Sequence, residues 1–151
     1  METIKIKYHA DIEPIKKFKH GDWIDLRAAE DVFIPYTKSA LISLGVSMKL
    51  PEGYEAHLAP RSSTFPNFGI QMVNSIGIID NSYSGTNDIW RFPAICLKPT
   101  CDQNGQIGTR ISKGDRICQF RIVKKQPEIR FETVDTLDDQ DRGGFGSSGV
   151  R

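Results

Sequence analysis

The chain has 151 residues, which fits one domain with room for a core. Its 20 Lys and Arg stand against 19 Asp and Glu, a formal charge of +1. That balance excludes the basic excess of a general nucleic-acid or membrane-surface protein. Cys96, Cys101 and Cys118 form no Cys-x-x-Cys pair, and His9, His20 and His57 lie far apart, so neither a disulfide framework nor a zinc site is expected.

Residues 2–8 alternate Ile4, Ile6 and Tyr8 against Lys5 and Lys7, an edge-strand pattern. The start Met-Glu-Thr-Ile-Lys-Ile-Lys is not a signal peptide, and no apolar stretch has the length of a membrane span. A reducing cytoplasm is therefore the expected compartment, with no membrane and no nucleic acid as partner. Residues 14–20 are basic and loop-like. Residues 23–34 hold two short apolar runs, and residues 40–50 alternate in part. Pro51-Glu52-Gly53 is a turn signal, and Tyr54 to Ala59 reads as the returning strand. Ser62 to Phe65 invites a helix that Pro66 cuts to about one turn.

Residues 74–85 are the stretch around which the chain is organised. Ile76, Ile78 and Ile79 predict a buried strand, and Gly77 inside it marks a bulge or a close backbone approach. Turn formers then bracket Tyr83. The pattern predicts a β-hairpin arm with the Asp80 carboxylate at its tip. It either holds a small planar ligand against Tyr83 or is a surface hairpin whose Asp caps its own turn. Further on, Pro93 predicts an edge or a bulge. Residues 102–108 are loop-like, and Ile117 to Val123 and Ile129 to Val134 read as strands. Cys96 and Cys118 sit in apolar runs and are expected in the core. Many short strands and no βαβ alternation predict an all-β fold, a sandwich, barrel or jelly roll. Beyond Leu137 the chain turns acidic and then Gly/Ser-rich. The expected organisation is a domain over 1–137 and a mobile tail over 138–151.

Four further places carry chemistry. Pro60-Arg61-Ser62-Ser63 puts a guanidinium, two hydroxyls and free N–H groups at a helical turn. This is either a phosphate seat or a plain N-cap at Ser62. Asp25, between apolar neighbours, is either paired with a cation or helps hold metal-bound water. Gln119 is polar within an apolar run and needs a partner, ligand or backbone. Gly144-x-Gly146-x-x-Gly149 matches the dinucleotide fingerprint in form only, because no helix can follow it. With Arg142 and two hydroxyls the strip is either a disordered terminus or a wrap for a polyphosphate.

Together these segments resemble the five ordered motifs of the trimeric dUTPases. Asp25-Leu26-Arg27-Ala28 is similar to the first, Pro60-Arg61-Ser62-Ser63 to the second, and Asn74 to Gly85 to the third. Gly114-Asp115-Arg116-Ile117-Cys118-Gln119 is similar to the fourth, and Arg142 to Gly149 to the fifth. The likeness spans residues 22–149. It departs from the family at Asp22-Trp23, where Ala-Gly is usual. Ser82 stands where a second acidic residue is common, and the fifth motif is two residues shorter.

The resemblance implies a distorted jelly-roll-like β-barrel and a homotrimer whose subunits share active sites. It implies hydrolysis of dUTP to dUMP and pyrophosphate with Mg²⁺, which removes dUTP and supplies dUMP for thymidylate synthesis. In that reading Asp80 is the general base for the attacking water. Arg61, Ser62, Ser63 and Gln119 hold phosphates from the barrel side. Arg142, Ser147 and Ser148 hold the outer phosphates from the tail. Asp25 supports the metal through water, and the backbone from Asn74 to Ile79 reads the uracil edge. Tyr83 lies against the deoxyribose and Phe145 covers the base. A dCTP deaminase of similar fold would need a Glu about ten residues after Asp80, where this chain has Trp90. A nucleotide-sensing or protein-binding module on the same barrel is compatible with these residues, as is a regulatory protein partner.

Overall fold

The structure, a computed structural model, describes residues 1–144, 146, 148 and 149. Short antiparallel strands make up four small sheets. Strand β1 (Lys5–Tyr8) pairs with β5 (Val46–Lys49), and β3 (Val32–Pro35) with β10 (Gly108–Ile111). The largest sheet runs β2 (Ile24–Arg27), β11 (Arg116–Lys124), β6 (Tyr54–Pro60) and β8 (Gly77–Ile79). The last sheet runs β4 (Ser39–Ser43), β9 (Arg91–Cys96) and β7 (Ile70–Met72). The fold is all-β and jelly-roll-like, as expected. Among the described residues no helix is long and apolar enough to cross a membrane.

Period-two patterning sets the sheets' inner faces. In β9, Phe92, Ala94 and Cys96 are buried while Arg91, Pro93 and Ile95 are less so. In β6, Ala56 and Leu58 face the core and Glu55, His57 and Ala59 face outward. The inner faces meet around Trp90, whose ring stands edge-on to Phe120 with centroids 5.2 Å apart at 85°. Both expected core thiols, Cys96 and Cys118, are buried and free, and Cys101 is exposed.

Gly77 is the close approach its place in the strand predicts. A Cβ there would lie 3.0 Å from Leu58 Cβ and 3.2 Å from Met72 Cε. Gly77→Ala is therefore expected to push β8 off β6 and cost about 1–3 kcal/mol of stability. A urea midpoint equal to that of the wild type would show the contact to be slack.

Six sequence expectations need correction. The strand expected to be buried around Ile76, Ile78 and Ile79 is not: Ile76 precedes it, Ile76 and Ile78 are exposed, and Gly77 is its buried residue. Pro93 lies in the central strand of its sheet, not on an edge. Its carbonyl accepts from Val73 N just past the end of β7, so its missing N–H faces a place where the ladder has already stopped. The helix α1 (Thr64–Phe68) contains Pro66 within its first turn, where no intrahelical N–H is needed, and it ends instead at Gly69 with φ 65°. The loop-like end of 102–108 leads into β10, which the sequence reading missed. Residues 129–134 form no strand: Phe131 is 92% exposed and no partner strand reaches it among the described residues. Finally, the 74–85 stretch is not a hairpin. β8 pairs with β6, and the chain after Tyr83 loops over 84–90 into β9 of another sheet.

Candidate active site

Three of the chemistry-bearing segments meet at one end of the largest sheet. Asp25 on β2, Gln119 on β11 and Ala59 on β6 are cross-strand neighbours, so Asp25 and Gln119 share the outer face. Arg61 follows directly on β6. Its Nε donates to Asp25 Oδ1 at 2.9 Å, and Arg116 Nη1 donates to Asp25 Oδ2 at 3.1 Å. Asp25 is thus paired with cations, one guanidinium per oxygen, and its side chain is 16% exposed. Each oxygen keeps a lone pair for a further donor. Sequence reading had left Arg116 without a role. Phe18 also went unnoticed; its ring lies 5.9 Å from the Arg116 guanidinium. Beneath this cluster, burial pushes the Cys118 thiol well above the usual range, and the Asp25 carboxylate adds to the effect. Cys118 is therefore an inert core thiol, not a nucleophile.

The two hydroxyls beside Arg61 are available. Ser63, not Ser62, occupies the N-cap of α1 and makes no side-chain cap bond. Thr64 orders this turn instead: its Oγ1 accepts from Arg61 N at 2.8 Å and donates to the Ile117 carbonyl at 2.8 Å. Gln119 finds its partner in the backbone, donating from Nε2 to the Pro60 carbonyl at 3.0 Å. The result is a rim of guanidinium and hydroxyl donors suited to phosphate oxygens.

Asp80 is elsewhere. It follows β8, whose Ile79 pairs with Ala56 at the opposite end of β6 from Arg61. Continuing that register sets Asp80 beside Glu55, six residues from Arg61 and hence about 20 Å away along the strand. Asp80 and Tyr83 line an open pocket of about 200 Å³ with Ile78, Ile79, Ile89, Trp90 and Arg91. Arg91 is a third feature the sequence does not announce; among the described residues its guanidinium has no ion pair. Asn81 ties this segment down, donating from Nδ2 to the Pro51 and Tyr54 carbonyls at 2.8 Å each. Tyr83 OH donates to the Ile89 carbonyl at 3.2 Å, so its ring rides on the 83–89 loop. β8 is the outer strand of its sheet, so among the described residues the backbone groups on its far edge have no ladder partner. Asn74 lies on the exposed turn leading into β8. Trp90, at the place where a deaminase would carry Glu, is fully buried, and the nearby Asp88 carboxylate accepts from Gly85 N at 2.7 Å.

Arg142 and Ser148 are exposed. Phe145 and Ser147 lie outside the described residues.

A dUTPase family model matches residues 23–149, which sets the chain among nucleotide-hydrolysing enzymes. The SPbeta prophage-derived deoxyuridine 5'-triphosphate nucleotidohydrolase YosS of Bacillus subtilis (strain 168) is 54% identical over 149 residues, covering 98% of this chain and 99% of its own. The Staphylococcus bacteriophage 80alpha dUTPase, solved as a point mutant with dUpNHpp, superposes with a TM-score of 0.75 at 24% identity, covering 98% of this chain and 99% of its own. The dUTPase of phage phi11 of S. aureus, solved as a point mutant and described as coordinating a structural Mg(II) ion, has a TM-score of 0.72 at 20% identity, over 91% of this chain and 99% of its own. The chain belongs to the dUTPase family.

Proposed function

We propose that the protein hydrolyses dUTP to dUMP and pyrophosphate at sites shared between the subunits of a homotrimer. The observation that carries this reading is the separation of its two halves. The Asp25–Arg61–Gln119 rim and the Asp80–Tyr83 pocket occupy opposite ends of β6, about 20 Å apart. A single triphosphate cannot touch both within one chain, whereas a second copy can bring its pocket to the first copy's rim.

In the assembled site the uracil edge meets the free backbone edge of β8, near Ile79 and Asn74, against a close wall that leaves no space for a thymine methyl. Tyr83 lies against the deoxyribose. Asp80 accepts a proton from the water that attacks the α-phosphorus in line, and pyrophosphate leaves. Arg61, Ser62, Ser63 and Gln119 hold phosphate oxygens from the rim. Arg142, Ser147 and Ser148 hold the outer phosphates from a neighbour's tail over 138–151, and Phe145 covers the base. Among the described residues no group of three or more His, Cys, Asp or Glu could hold a metal by itself. That fits an Mg²⁺ carried by the triphosphate, with Asp25 accepting from a water on the ion. When bound, Mg²⁺ neutralises phosphate charge. The expected setting is the cytoplasm, where removal of dUTP and supply of dUMP serve thymidylate synthesis.

Measuring pyrophosphate release from dUTP, dCTP, dTTP and UTP tests the reading. Turnover is expected with dUTP alone among the four, and dominant release from dCTP or UTP would overturn it. Tyr83→Ala is expected to narrow the dUTP over UTP ratio of kcat/KM by roughly tenfold. An unchanged ratio would place sugar sensing elsewhere.

A further inference from the structure

A polar relay from the first strand holds the substrate arm. Segment 80–90 is anchored at both ends. Asn81 bonds to the β5–β6 turn at one end, and at the other Trp90 N donates to the Val46 carbonyl at 2.8 Å. Between them, over 82–89, nearly every hydrogen bond is local: Ser84 N to the Ser82 carbonyl, Asp88 N to the Gly85 carbonyl, Gly85 N to the Asp88 carboxylate, Tyr83 OH to the Ile89 carbonyl. Tyr83 N reaches back to the Asp80 carbonyl at 3.0 Å, and one further bond among the described residues joins this loop to a different part of the fold. Ser47 Oγ donates to the Thr86 carbonyl at 2.8 Å.

Ser47 lies on β5 and is 4% exposed, flanked by buried Val46 and Met48. Its single hydroxyl proton goes to Thr86, so the His9 Nε2 that lies 2.6 Å from the same oxygen must donate. That fixes the Nε2 proton and stops the hydroxyl from rotating away. His9 is itself held where β1 ends, its N–H donating to the Gly45 carbonyl at 2.8 Å. A buried hydroxyl with one acceptor lone pair met and its proton committed is a fixed post, and a free one is not.

We propose that His9 is a positioning residue for substrate binding, acting through Ser47 and Thr86 on the loop that carries Tyr83. The inference rests on the dUTPase reading above for its kinetic consequence, though not for its structural one. The 80–81 end keeps its own two bonds from Asn81 to Pro51 and Tyr54 when the relay is cut, so the loss loosens the loop beyond the Tyr83 N to Asp80 carbonyl bond more than it moves Asp80. Affinity and sugar discrimination should fall while the chemical step survives.

The test uses the full-length protein with His9→Phe, His9→Gln and Ser47→Ala. Amide hydrogen exchange is read over 82–89 without ligand, and kcat and KM are measured for dUTP and UTP. His9→Phe and Ser47→Ala are expected to speed exchange in this loop and raise KM for dUTP about tenfold, the worth of one buried hydrogen bond, with kcat within about twofold. His9→Gln carries an N–H in place of Nε2 and is expected to restore both readings. Exchange over 82–89 unchanged in both cutting variants overturns the proposal, as does a His9→Gln protein that behaves like His9→Phe. A general loss of stability without a KM change at a temperature where all variants are folded overturns it too. Should the wild type not turn over dUTP, the functional reading fails, and the exchange data still decide whether His9 positions the loop.

Discussion

Asp80→Asn is expected to lower kcat for dUTP by about 10²–10⁴-fold while binding of dUTP stays close to that of the wild type. The carboxamide fills the same space and can still orient a water, but it cannot accept the proton. The surroundings support a clean substitution. Asp80 makes no side-chain bond or ion pair that holds the fold together among the described residues, whereas its neighbour Asn81 carries the structural bonds to Pro51 and Tyr54. Rapid-quench turnover with equilibrium binding measured beside it separates the two effects. Turnover within tenfold of the wild type would remove Asp80 as the base.

Truncation after Leu137 is expected to lower kcat by roughly 10²-fold or more and to leave assembly and the thermal midpoint nearly unchanged. Residues 125–144 contain no helix or strand, and 138–144 are exposed, so the chain's own core does not depend on them. Closure over a triphosphate has to overcome chain entropy, so it draws on charge and backbone N–H contacts that exist only with the nucleotide bound. Arg142 brings a fixed cation and the glycines leave backbone donors free. The fifth motif is two residues shorter than usual, which makes the joint reach of Arg142 and Phe145 the point under test. Full activity in the truncated protein would assign phosphate binding wholly to Arg61, Ser62, Ser63 and Gln119.

What could be read in advance followed the range of the forces involved. Period-two burial announced most strands, because side-chain alternation is local. The motif residues were legible for the same reason: Arg61-Ser62-Ser63 and Asp80 with Tyr83 each sit within a few positions. Long-range pairing was not. Asp25 needed a cation, a metal-bound water or both, and only the sheet register, which brings Arg61 and Arg116 to it across 36 and 91 positions, shows the cations. Gln119 was left without a known partner until Pro60 came beside it. Pro93 misled because proline's cost in a strand depends on which neighbour its absent N–H faces, a fact about β7 and not about β9. Ile129, Phe131 and Val134 have a strand's composition, but a strand needs another to pair with, and composition cannot supply one. Arg91 enters the Asp80 pocket from the start of a different strand, so no spacing rule linked the two.

Subunit complementation tests whether one chain holds only half of each site. Asp80→Asn and Arg61→Ala are each expected to be nearly inactive alone. Unfolded together and refolded as a mixture, they should recover a substantial fraction of wild-type dUTP turnover, because mixed assemblies pair an intact Asp80 from one copy with an intact Arg61 from another. A refolded mixture that is shown to contain hybrids, yet is no more active than its parents, would mean that Asp80 and Arg61 serve the same site from within one chain.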